Sequence, residues 1–122
     1  MSNMQKMEWV LKIGVAGEFV GHGVFAIQGK KDWIGWIDRL LNTGDATAAT
    51  LLMIVGIIDI AIALIVLFRP VNWVLLWAAF WGLWTALVRP MMGLPVWDFI
   101  ERFANWAAPL ALYYFYNRNK SQ

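Results

Sequence analysis

Long apolar runs broken by short polar joints make up most of this chain. Four runs stand out: about Trp9 to Gln28, Thr47 to Phe68, Val71 to Val88 and Val96 to Tyr116. Each is close to the ~20 residues that a helix needs to cross a bilayer core. The pattern within them is continuous rather than alternating, as in helices surrounded by lipid. The joint "GKKDWIGWIDRLLNTGD" behaves differently. Trp33, Ile34, Trp36, Ile37, Leu40 and Leu41 recur at helical spacing, while Lys31, Asp32, Asp38 and Arg39 fall on the other face. That amphipathic pattern predicts a short interfacial helix over about 31–42. Runs two and three meet at "RPVN", where Pro70 suits the start of a helix, so they form a tight helical hairpin.

The expected fold is therefore all-α: one domain, residues 1–122, built as a four-transmembrane-helix antiparallel bundle with an interfacial helix between spans one and two. Composition agrees. Of 122 residues, 61% are hydrophobic and 15% charged, against roughly 45–50% and 25% in soluble domains. The lipid bilayer is the first partner, and association into a homo-oligomer or a larger membrane complex is the second. A net charge of +2 gives no nucleic-acid footprint, and the absence of cysteine excludes disulfides and thiol redox chemistry. Span one is too long, and too polar at Glu18 and His22, for a signal peptide, so it is expected to be retained.

Lys and Arg counts tie on the two sides: Lys6, Lys12, Arg69, Arg118 and Lys120 against Lys30, Lys31, Arg39, Arg89 and Arg102. The first group is nearly free of acids, whereas Asp32, Asp38, Asp45 and Asp98 accompany the second, so both termini are placed in the cytoplasm.

Polar residues inside the spans are the candidate chemistry, because an ionisable group at mid-membrane costs roughly 2.5–3.5 kcal/mol and is turned toward protein or water. At about 1.5 Å per residue, Glu18, Asp59, Trp81 and Asn105 fall about 14–16 Å from the N-terminal side. His22, Thr85 and Glu101 lie one turn further, and Arg89 beyond them. Spacings of four put Glu18 with His22, Trp81 with Thr85 and Arg89, and Glu101 with Asn105, each set on one helix face. These eight residues form the expected ligand-binding or proton-relay layer. His22 is expected between the carboxylates of Glu18 and Glu101, Arg89 is expected to reach the interface while pairing with Glu101, and Asp59 is a suitable acceptor for the Trp81 indole. Gly14, Gly17 and Gly21 beside Glu18, and Gly56 and Ala63 on the face of Asp59, allow close packing. Pro109 frees the carbonyl of Asn105. Trp9, Trp33, Trp36, Trp97 and the tyrosines at 113, 114 and 116 are expected to anchor the interface. No metal site is expected from one histidine, and no dedicated cofactor; a quinone or lipid-like ligand fits the layer. Nothing in these residues decides whether the protein is an enzyme.

The stretches "HG" in span one, "GIIDIAIALIVLFRP", "WGLWTALVRP" and "FIERFANWAAPLAL" resemble DoxX-like small bacterial membrane proteins over nearly the whole chain. The resemblance implies a four-helix membrane bundle in the bacterial inner membrane, related in plan to the small subunit of thiosulfate:quinone oxidoreductase. More distantly it is similar to sterol-isomerase and sigma-2-receptor bundles. No catalytic motif of these relatives maps onto the chain. Two functions follow as expectations: a polar intramembrane site for a small amphipathic molecule or for protons, or an accessory subunit of a larger redox complex.

Overall fold

The computed structural model describes residues 1–118, all-helical with no strand among them; Lys120 lies outside the described residues. Six helices follow one another: α1 (Asn3–Ile27), α2 (Lys31–Leu41), α3 (Asp45–Phe68), α4 (Asn72–Met91), α5 (Val96–Ile100) and α6 (Phe103–Tyr116). Three of them, α1, α3 and α4, are long and apolar enough to cross a membrane. Their outer faces carry exposed Ile13, Val20, Ile57, Leu64, Phe80 and Leu83. In water this would be a severe cost, and against lipid it is not.

α1 begins two turns before the apolar run, because Ser2 and Gln5 form a capping box: the Ser2 hydroxyl accepts from the Gln5 amide, and the Gln5 side chain accepts from the Ser2 amide. α2 forms where the amphipathic pattern predicts it. Its C-terminus is held by Asn42 in a left-handed conformation and by the Gly44 amide donating to Asp38 at 2.7 Å. Arg39 donates to the Met92 carbonyl at 3.3 Å and so ties α2 to the end of α4.

The fourth apolar run is not the single helix expected over 96–116. It breaks at Glu101 and Arg102 into α5 and α6. At the break the Arg102 amide donates to the Phe99 carbonyl at 3.2 Å, a tightened i→i−3 turn, while its guanidinium donates to the Asp98 carbonyl at 2.9 Å. With 14 residues, α6 alone extends about 21 Å, less than a hydrocarbon core.

The helices pair as α1 with α3 and α4 with α6, and α1 also packs on α6. The pairs share a core of Val15, Phe19, Ile62, Val66, Leu75, Ala78 and Leu112. Glycine decides how closely each pair approaches. A Cβ at Gly56 would lie 2.7 Å from the Gly23 carbonyl oxygen, and one at Gly23 would lie 2.9 Å from that of Gly56, so the two backbones touch. Gly14, Gly17 and Gly21, expected to serve this purpose, face nothing within 4 Å; they lie off the crossing. Between α4 and α6 the corresponding contact is Gly82 against the backbone carbonyl of Asn105. That carbonyl lacks its usual helical donor because residue 109 is proline, so it sits free at the place where α4 comes nearest. Gly82→Ala is expected to cost about 1–3 kcal/mol, read as a lower midpoint of thermal unfolding in detergent. An unchanged midpoint would show that α6 moves aside freely.

Candidate functional site

The α1–α3 crossing sets the position of the candidate site. His22 and Asp59 are the neighbours of Gly23 and of the Gly56 turn, and a Cβ at Gly23 would lie 3.4 Å from that of Asp59. On the far side α4 presents Trp81, Thr85 and Arg89 at spacings of four, one helix face. α2 lies over the gap, with Trp33, Trp36, Ile37, Leu40 and Leu41 turned inward. These four helices border a half-open cavity of about 610 Å³, within the ~300–1,000 Å³ range of small-molecule sites. Leu40, Leu41 and Ile54 line it and are themselves exposed, so it opens to the outside beside α2 and α3.

The wall is apolar apart from four side chains: His22, Asp59, Thr85 and Arg89. Asp59 is only 3% exposed and, among the described residues, has neither a hydrogen bond nor an ion pair. Its carboxylate oxygens are nevertheless not sealed off, since the buried side-chain polar atom without a partner is the Trp106 Nε1 on α6. The remaining access of Asp59 is to the cavity it lines. Arg89 is 5% exposed. It donates to the Thr85 carbonyl at 2.6 Å, and its guanidinium lies 5.3 Å from the Trp36 ring centroid. The Thr85 hydroxyl donates to the Trp81 carbonyl at 2.9 Å, which leaves its oxygen lone pairs as acceptors. His22 stands edge-on to Trp33 with centroids 5.6 Å apart.

Five of the eight expected site residues therefore meet in one cavity: His22, Asp59, Trp81, Thr85 and Arg89. Three do not line it. Glu18 is half-buried one turn before His22. Glu101 is exposed and pairs with Arg102 at 2.7 Å, so it holds neither His22 nor Arg89; the helix break at this point turns it outward. Asn105 contributes its backbone to the Gly82 contact. The expected placement of His22 between two carboxylates is thus not found, and its visible partner is an aromatic edge. Arg89, in the last turn of α4, is covered by Trp36 of α2 rather than paired with Glu101. The Trp81 indole does not bond Asp59; it stacks on Trp77 at 5.5 Å. Trp33 and Trp36, expected as interfacial anchors, form the cavity roof.

A second polar cluster was not anticipated. Lys12 pairs with Glu8 at 3.3 Å, lies 4.7 Å from the Trp9 ring centroid, and Glu8 also accepts from the Tyr116 hydroxyl. The signal for it in the chain is the Glu-to-Lys spacing of four. The cluster fastens α1 to the end of α6. No group of three His, Asp or Glu side chains suited to a metal ion occurs among the described residues.

Comparison with protein-family models, with curated proteins and with solved structures found no match. The chemistry is accordingly read from the cavity itself.

Proposed function

We propose that this protein binds one small amphipathic molecule of quinone, lipid or isoprenoid type in the membrane, within the cavity between α1, α2, α3 and α4. The observation that carries this reading is Asp59. Asp59 is a 3% exposed residue whose carboxyl group has no partner among the described residues and whose remaining access is to a cavity of ligand size, so a polar group held in that space would satisfy it. The apolar wall suits a hydrocarbon body, and His22, Asp59, Thr85 and Arg89 suit a polar head. In this reading α5 and α6 together complete a fourth crossing, α2 lies at the interface, and both termini are cytoplasmic in a bacterial inner membrane. Kinship with DoxX-like proteins rests on the sequence pattern and is part of the same proposal.

Extraction of the purified protein, followed by mass spectrometry of what is released, tests the reading. One amphipathic species in about equal amount to the protein is expected. Val55 lines the cavity, and Val55→Trp should exclude that species while leaving the helical circular dichroism unchanged. If nothing is released from the parent, and Val55→Trp matches it in stability and in its partners, the cavity is not a binding site. An accessory-subunit role would then be favoured by stoichiometric co-purification with redox subunits.

A further inference from the structure

The two buried ionisable side chains of the cavity are not equivalent. A carboxyl group can discharge itself by taking up a proton, whereas a guanidinium stays charged under all ordinary conditions. The one charge this cavity cannot avoid is therefore positive. No carboxylate approaches Arg89 within ion-pair distance among the described residues: Glu101, the nearest candidate by sequence reasoning, is taken by Arg102, and the other ion pair joins Lys12 to Glu8. Arg89 uses one nitrogen on the Thr85 carbonyl and lays its face against Trp36, which leaves further N–H groups of its planar fork without acceptors. A cation–π contact offsets part of the burial but does not neutralise the charge.

Resting on the ligand-binding reading, we infer that the molecule held here is a single-chain amphiphile with an anionic head, carboxylate or phosphate, whose oxygens pair with Arg89. Thr85 on the same helix face has its hydroxyl hydrogen on the Trp81 carbonyl, so the donor left for a remaining head-group oxygen is the His22 ring across the cavity. The acyl chain lies among Trp33, Ile37, Leu40, Leu52 and Val55. Asp59 opposes an anion when charged, so in the complex it carries the proton and donates rather than repels. This assignment reverses the one a buried aspartate among tryptophans would suggest by itself, namely a cationic amine.

The test uses the full chain in detergent and four C18 probes brominated in the chain: a carboxylic acid, a monoalkyl phosphate, an alcohol and an amine. Trp33, Trp36, Trp81 and Trp84 line the cavity, so bound bromine quenches their fluorescence, and reversal by the unbrominated compound identifies saturable binding. The acid or the phosphate is expected to bind about tenfold or more tightly than the alcohol, with the amine weakest. Whichever of the two anions binds more tightly identifies the head group. Arg89→Gln should reduce the anion to the affinity of the alcohol, and Asp59→Asn should leave anion binding intact or strengthen it. The inference is overturned if the alcohol or amine equals the anions on the parent protein, a comparison that needs no variant to fold. It is also overturned if the preference survives Arg89→Gln, or if Asp59→Asn abolishes anion binding. Saturable binding of the alcohol alone would sink the anionic head while sparing the ligand site. Saturable binding of none of the four would sink both.

Discussion

Leucine in place of Gly56 is expected to destabilise the protein by more than about 3 kcal/mol, because the added atoms meet the Gly23 backbone as well as the Ile27 and Ala26 side chains. A Cβ at this position already lies 2.7 Å from the Gly23 carbonyl oxygen and 3.0 Å from the Ala26 Cβ. The Ile27 side chain, at 2.8 Å, can turn aside, but the Gly23 carbonyl and the Ala26 Cβ cannot yield without moving α1 away from α3. Because His22, Ala26 and Asp59 line the cavity from this crossing, the same change should open the cavity and release any bound molecule. Thermal unfolding in detergent gives the measurement, and glycines elsewhere on α1 give the control. Gly17 has nothing within 4 Å of a would-be Cβ, so Gly17→Ala should instead stabilise by about 0.5–1 kcal/mol through helix propensity. Gly23→Ala, six residues further on, should destabilise. Equal responses at Gly17 and Gly23 would show that the backbone contact between α1 and α3 does not limit packing.

Methionine at Arg89 is expected to make the ligand-free protein more stable, by about 1–2 kcal/mol. Two terms of opposite sign decide this. Burying an unpaired guanidinium in an apolar wall costs on the order of several kcal/mol, and here no ion pair offsets it. Against that, the variant loses the contact with Trp36, worth about 0.5–2 kcal/mol. The hydrogen bond to Thr85 is made within α4 itself and its loss frees a carbonyl that already belongs to the helix ladder. The balance favours the apolar side chain, while ligand retention should fall. A rise in the unfolding midpoint together with loss of the extracted amphiphile is the expected pair of results. A fall in the midpoint would mean that Arg89 is held by compensation within the protein, and that its charge is structural. The opposite movement of stability and occupancy is what separates a functional buried charge from a packing one.

The helices themselves were legible along the chain. Uninterrupted apolar runs of bilayer length leave the backbone no way to satisfy its amides except internally, and α1, α3 and α4 follow those runs closely. The amphipathic period of residues 31–42 specified α2, since only a helix puts Trp33, Trp36, Ile37, Leu40 and Leu41 on one side. The alignment of Trp81, Thr85 and Arg89 also came from spacing alone, because residues four apart share a face whatever surrounds them. What lay beyond the sequence depends on how the helices are rotated and crossed. Any of five glycines on α1 and α3 can permit a close approach, and only the docked pair selects Gly23 and Gly56. The fate of Glu101 turned on the helix breaking at Glu101 and Arg102, where the ladder tightens to an i→i−3 bond, a local event that carries no periodic signature. The roof of the cavity required tertiary placement most of all: an amphipathic helix at an interface has the same sequence pattern whether its apolar face meets lipid or a neighbouring helix. Arg39 on Met92 and Trp36 on Arg89 show that here it meets neighbouring helices, and the apolar face of α2 becomes one wall of a cavity that stays open on one side.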